Sequence, residues 1–171
     1  MDEALLADLR RVLGERILFH EADDVPTIGV EASALFDAVT ALYRDEALAY
    51  RYLTDLFGMH YPAGAGEAGR EARGEDLGLQ VLLYNMEKGR RLRVTCRFPV
   101  GSPEVASLTP LFPAANWLER ETYDFFGIRF KGHPNLKRIL NIESMTVFPM
   151  RKDFPLEDQS REDKDDPMFG R

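Results

Sequence analysis

Apolar positions along this chain follow two periods. Near the start, Leu5, Leu6, Leu9, Val12 and Leu13 recur at helical spacing behind Asp2, a capping residue type, and Gly14 follows where helices end. Leu35, Phe36, Val39, Leu42 and Tyr43 form a second helical stripe, with Ser33 as its predicted cap. Two short runs, 16–20 and 27–31, are β-branched or apolar and predict strands on either side of Pro26. Residues 49–58 are aromatic-rich and predict a further strand, with Leu53, Leu56 and Phe57 in the core. From Leu79 the period becomes two. Leu79 to Met86 reads as a strand and Glu87-Lys88-Gly89-Arg90 as a turn. Leu92, Val94, Cys96 and Phe98 then alternate with Arg91, Arg93, Thr95 and Arg97. That alternation places Cys96 on an apolar face, where a lone cysteine is ordinarily a small hydrophobe. The arginine row takes the other face, which is either solvated or turned to an acidic partner.

A third helix is predicted over Trp117 to Phe126. Asn116 and Glu119 stand in capping-box spacing, and Gly127 supplies the left-handed stop. Leu118, Thr122 and Phe125 share one stripe; Trp117, Glu121 and Asp124 share another. Arg120 and Asp124, four apart, are positioned to pair. Glu119, Glu121 and Asp124 are the compact acid cluster beside aromatics, the place to look for a general acid and base. Glu119 and Glu121 diverge by about 200° around a helix, so they cannot act on one substrate. Surface and helix-dipole roles are the expectation for these acids. His133 precedes Pro134 and is expected in a turn with a hydrogen-bonding role. His20, His60 and His133 show no HxxxH or HExxH spacing, so no metal site is legible.

Residues 62–78, PAGAGEAGREARGEDLG, hold no large apolar residue before Leu77 and predict a mobile loop. Their glycines match neither GxGxxG after a strand nor a GK[ST] loop, so nucleotide binding is not indicated. From Asn141 onward, Met145, Val147, Phe148, Met150, Phe154, Leu156, Met168 and Phe169 are isolated anchors among charges and prolines. Such spacing predicts a strap laid over a partner, ordered on binding. The chain thus divides into a domain over 1–140 and a tail over 141–171. With 171 residues, 44% of them hydrophobic and 30% charged, it is long enough for a core without staples. One cysteine excludes an internal disulfide and any cysteine-ligated cluster built from this chain alone. It also fits a reducing compartment. The net charge of −7 gives no nucleic-acid footprint. Met1-Asp2-Glu3 is acidic where a signal peptide would be basic. The longest uncharged run, Val105 to Leu118, is too short for a membrane span. Charge is uneven. Arg129, Lys131, Lys137, Arg138, Arg151 and Lys152 face only Glu143 within 129–152, a basic stretch that is either solvated or in contact with something negative.

Glu119-Arg120-Glu121, Asp124-Phe125-Phe126, His133, Lys137 and Ile139-Leu140 together resemble the signature of the 30 kDa subunit family of respiratory complex I. Bacterial members belong to NADH-quinone oxidoreductase. Phe148-Pro149-Met150-Arg151-Lys152-Asp153-Phe154-Pro155 is similar to the family's second recurrent stretch, and the resemblance covers most of 1–156. It implies an α+β fold: a mixed or antiparallel sheet with helices packed on it, followed by an extended C-terminal tail. It implies a non-catalytic member of the peripheral arm of a proton-translocating NADH:quinone oxidoreductase, at the cytoplasmic face of a bacterial inner membrane. The partners implied are the large quinone-site subunit, of the 49 kDa type, and neighbouring cluster-bearing subunits. FMN, iron–sulfur clusters and quinone would be held by the rest of the complex and none by this chain. The residues marked for family and interface roles are Glu119, Arg120, Glu121, Asp124, Phe125, Phe126, Gly127, His133, Lys137, Arg138, Leu140, Pro149, Arg151, Lys152, Asp153 and Pro155. Two alternatives stand beside it: the equivalent component of a membrane-bound hydrogenase or other quinone-linked dehydrogenase, and a stand-alone soluble enzyme.

Overall fold

The computed structural model describes residues 3–22, 24–63 and 75–154. A helix α1 (Glu3–Leu13) precedes strands β1 (Phe19–Ala22) and β2 (Pro26–Gly29), then helix α2 (Leu35–Arg44). Three ten-residue strands follow, β3 (Tyr52–Tyr61), β4 (Asp76–Asn85) and β5 (Arg90–Pro99). A short strand β6 (Glu104–Ala106), helix α3 (Ala115–Phe126) and strand β7 (Arg129–Lys131) complete the regular structure of the described residues. The main sheet has the order β1-β2-β5-β4-β3, with β2 parallel to β5 and the other pairs antiparallel. β6 and β7 pair in parallel as a small second sheet. The architecture is α+β, as expected.

The period-two pattern places the core. Leu77, Leu79, Val81 and Leu83 of β4 and Leu92, Val94, Cys96 and Phe98 of β5 are buried in one cluster with Leu5, Leu9 and Leu13 of α1 and Leu35, Val39 and Leu42 of α2. The register puts Leu56 opposite Val81 and Gly58 opposite Leu79, so β3 offers the same face to α3. Gly58 lies under the Phe126 ring; a Cβ there would sit 2.6 Å from that ring. All three helices therefore pack on one face of the sheet. Burial lifts the Cys96 thiol to about 12, which makes it an inert core group.

Several local expectations change. Asp2 lies outside the described residues. Ser33 does not cap α2: a 3-10 turn, Ala32–Ala34, leads into the helix, and Ala34 is the cap residue without a side-chain bond. β1 starts at Phe19 rather than 16, and Pro26 begins β2, consistent with the tolerance of a strand's first position for proline. The expected 62–78 loop is shorter, because β4 begins at Asp76; residues 64–74 lie outside the described set. Phe57 points away from the core, since strict alternation after the bulge at Leu53/Asp55 sends Leu56 inward and Phe57 outward. That bulge, the Asp55 carboxylate accepting Leu56 N–H at 2.8 Å, and Thr122 Oγ1 donating to Leu56 O at 3.5 Å interrupt the outer edge of β3.

Candidate functional site

The residues singled out by sequence gather at the two ends of α3. Its first N–H groups are met by the preceding turn: Ala115 N donates to Phe112 O, Asn116 N to Pro113 O and Trp117 N to Ala114 O. The helix therefore starts one residue before Asn116, and the expected Asn116–Glu119 capping box does not form. Glu119 instead turns inward, fully buried. Ser107 Oγ donates to its Oε2 at 2.7 Å and Leu108 N to its Oε1 at 2.6 Å. Burial raises its carboxyl to about 7, against the opposing pull of those two bonds.

At the other end, all four carbonyls left open by a helix terminus find partners. Gly127 N donates to Tyr123 O at 2.9 Å and Met150 N to Phe125 O at 3.3 Å. Arg138 Nη1 donates to Asp124 O and Arg151 Nε to Phe126 O, each at 2.7 Å. The basic stretch thus seats two of its guanidiniums on the negative end of α3, where the helix dipole favours cations. Arg138 also donates to Asp124 Oδ1 at 2.7 Å and, through Nη2, to Met145 O and Val147 O. Both guanidiniums approach the Phe148 ring, Arg138 Cζ at 5.0 Å and Arg151 Cζ at 4.6 Å from its centroid.

Asp124 is the centre of this arrangement. Its Oδ2 accepts the backbone N–H of Ile139, Leu140 and Asn141 at 3.0, 2.8 and 3.0 Å, and its Oδ1 accepts Asn141 Nδ2 at 3.0 Å. Burial alone would raise its carboxyl. The Asn141 and Leu140 N–H groups, Arg138 and the Asn141 side chain outweigh that and hold it well below the usual carboxylate range. The expected Arg120–Asp124 pair is absent. Arg120 donates Nε to Lys137 O at 3.1 Å and stacks over Trp117. The predicted stripes also shift: Ala115, Glu119, Thr122 and Asp124 are buried, while Trp117 and Glu121 are exposed. A surface role for Glu119 and Asp124 is therefore overturned.

Gly127 has φ +76°, and a Cβ on it would lie 2.6 Å from the Phe148 ring and 2.8 Å from Arg151 Nη2. Gly127→Ala is expected to lower stability by roughly 1–3 kcal/mol, through the left-handed backbone and the displaced ring. A thermal melt within 1 °C of the parent, taking about 1 °C as well below the shift such a loss produces, would refute this.

His133 accepts Asn135 N–H at Nδ1 and so carries its proton on Nε2, which donates to Asn116 O at 3.1 Å. This is the hydrogen-bonding turn role expected. His60 carries no sequence mark of any role, yet it is buried in β3 with Nε2 2.8 Å from Glu75 Oε1 and Nδ1 3.8 Å from Asp153 Oδ1. Its Nδ1 accepts Lys152 N–H at 2.8 Å, which fixes the proton on Nε2 and ties the C-terminal segment to β3. The ligand atoms of His60, Glu75 and Asp153 lie within 4.8 Å of one another, and a metal on Nε2 would need that proton moved to Nδ1, breaking the Lys152 bond. No sequence signal marks this group, because residues 60, 75 and 152 meet only through the fold. The segment 141–154, expected as a strap without partners in its own chain, is thus bonded to α3 and β3. Glu143 and Lys137 are exposed, Pro149 is half-buried, and Pro155 lies outside the described residues.

Beside exposed charges such as Glu121 and Lys137, the folded signature also leaves large apolar side chains outward. Trp117, Leu140, Ile142, Val147 and Met150 are all exposed, Trp117 by 63% and Ile142 by 72%.

The respiratory-chain NADH dehydrogenase 30 kDa subunit family matches residues 28–160. An NADH-quinone oxidoreductase subunit of this kind from Polynucleobacter asymbioticus is 39% identical over 154 residues, 89% of this chain and 76% of that protein. Its counterpart in Methylobacterium sp. strain 4-46 is 39% identical over 90% of this chain and 67% of its own length. Among solved structures, a trypsin-resistant fragment (1-134) of Nqo5 superposes with a TM-score of 0.60 at 26% identity, covering 78% of this chain and 98% of the fragment. A chain of an archaeal membrane-bound sulfane sulfur reductase shares the fold, with a TM-score of 0.72 at 20% identity over 96% of this chain and 97% of its own.

Proposed function

We propose that this chain, which belongs to the respiratory-chain NADH dehydrogenase 30 kDa subunit family, is a non-catalytic assembly component in the peripheral arm of an NADH-quinone oxidoreductase. The observation that carries this is the division of labour in residues 116–154. Their polar groups are bonded inside the chain at Glu119, Asp124, Arg138 and Arg151, while Trp117, Leu140, Ile142, Val147 and Met150 are held outward on a rigid support. Buried acids so engaged have no access to a substrate, and exposed large apolar side chains beside basic ones suit an interface. The partner face belongs to the large quinone-site subunit and its cluster-bearing neighbours. FMN, clusters and quinone reside in those chains and none in this one. No helix of the described residues is long and apolar enough to cross a membrane. In this reading, attachment at the cytoplasmic face of a bacterial inner membrane runs through the partners.

Ile142→Asp, placing a charge on an exposed apolar position, is expected to leave the melting of the isolated chain unchanged. It should cut recovery of partner subunits with the tagged chain by at least about tenfold, as loss of an interface anchor does. Mass spectrometry of the purified complex reads this. Full recovery with the variant, or activity of the isolated chain toward a quinone, would refute the assembly role.

A further inference from the structure

With all three helices on one side, the opposite face of the sheet has no second layer among the described residues. Phe19 closes one end of it by lying over Gly29, where a Cβ would sit only 1.9 Å from the ring. The rest spans β3, β4 and β5. Register and alternation place Tyr52, Phe57 and Met59 of β3, Leu82 and Tyr84 of β4, and Arg91 and Arg93 of β5 together on that face. Tyr52 is 53% exposed and Phe57 and Met59 are each 37% exposed. Tyrosine, phenylalanine, methionine and arginine are the residues enriched where proteins meet; between them on the same face Gln80, Thr95 and Thr27 are buried, Gln80 Nε2 donating to Thr95 Oγ1 at 2.9 Å. The acids here, Asp55, Glu21 and Asp76, stand on the outer strands or at a strand end, while β5, the central strand of the sheet, carries Arg91, Arg93 and Arg97 on this face. Arg93 Nε is buried without a hydrogen-bond partner.

Resting on the assembly role above, we infer that this face is a second docking surface, and that its occupant is an acidic amphipathic helix of another member of the complex. Its dimensions fit one helix. Ten-residue strands run about 33 Å, and three strands at the usual spacing span roughly 14 Å, the footprint of a helix of some 20 residues. Apolar positions of that helix would cover Phe57, Met59 and Leu82, and carboxylates along its flank would meet Arg91 and Arg93, an electrostatic match that sets orientation. This contact is distinct from the exposed apolar residues Trp117, Leu140, Ile142, Val147 and Met150, which stand on α3 and on the segment bonded to its C-terminal end.

The test uses the whole complex. Phe57→Glu and Arg91→Glu each reverse the chemistry of the face at an exposed position. The isolated variant chains are expected to melt like the parent, while the complex loses one subunit, with affinity lowered about thirty-fold as for a hot-spot residue. A photo-reactive benzoylphenylalanine replacing Met59 in the otherwise unchanged complex is expected to cross-link to a single subunit, at a peptide with apolar residues three and four apart flanked by Asp or Glu. A cross-link confined to this chain or to a second copy of it overturns the inference, as does a full set of partners in both variant complexes; either leaves the assembly role standing. A parent chain that purifies with no partner at all overturns both.

Discussion

Asp124→Ala is expected to cost this protein about 3–5 kcal/mol of folding stability at neutral pH, the loss typical of breaking a buried ion pair from one side. The carboxylate is completely buried and Arg138 is 6% exposed in its side chain. Alanine would leave that guanidinium without its counter-charge. It would also leave three backbone N–H groups, at Ile139, Leu140 and Asn141, with no acceptor. Those groups hold the turn that brings Met145 to Arg151 back onto α3, so the whole segment should loosen with them. The same carboxyl predicts an acid limb. Its folded pKa lies below its unfolded value, so the stability it provides is complete above the unfolded value near 4 and disappears as pH falls below that. The variant should lack this limb. Urea unfolding at neutral and acid pH measures both effects. A loss below about 1 kcal/mol, the size of one ordinary hydrogen bond, would show that Asp124 does not anchor the segment. Arg138→Glu, which on charge alone would disturb only contacts with partners, is expected to unfold the segment too, because it sets two acids against each other in a buried site.

Glu119 predicts the opposite slope. Its carboxyl stands at about 7 in the folded protein against an ordinary 4.5. Between those values the folded state holds a proton that the unfolded state has released, so stability falls as pH rises from about 4.5 to about 7 and is level above. At about 1.4 kcal/mol per unit, the full drop is on the order of 3 kcal/mol. Glu119→Gln keeps an acceptor for Leu108 N–H and carries no charge at any pH. It is expected to abolish this part of the slope and to be more stable than the parent at pH 8 by up to about 3 kcal/mol, with little difference at pH 5. Comparing the two proteins isolates the contribution of this one carboxyl. Equal stability of parent and variant at pH 8 would mean that Ser107 and Leu108 hold the carboxylate charged in place.

Both predictions concern residues that sequence patterning sends to the surface, and the reason is physical. Acids in a helix are ordinarily solvated. Nothing within ten positions of Glu119 or Asp124 shows that Ser107 and Leu108, or the turn at 138–141, will close over them. The family signature was legible as a set of letters, but its physical content is a helix terminus whose open carbonyls and buried carboxylate are met by a segment up to 25 residues away.

Short-range features were read correctly from the chain. Periods of 3.6 and 2 identified α1, α2, the β4–β5 hairpin and the buried face carrying Cys96, because which side of a strand or helix is apolar depends only on spacing. Gly127 announced its left-handed turn because only a residue without a Cβ takes that conformation cheaply. Caps and edges were different. Ser33 and Asn116 yielded to neighbouring turns that supplied backbone partners, and Phe57 turned outward once a bulge reset the register of β3. What tertiary structure alone decided was where separate segments converge: His60 with Glu75 and Lys152, Asp124 with Arg138, and three helices on one face of the sheet with an arginine and aromatic face opposite. Sequence order carries the pattern of each element. The contacts between elements come from closing the chain over one core, and there burial converts exposed-looking charges into the bonds that hold the fold.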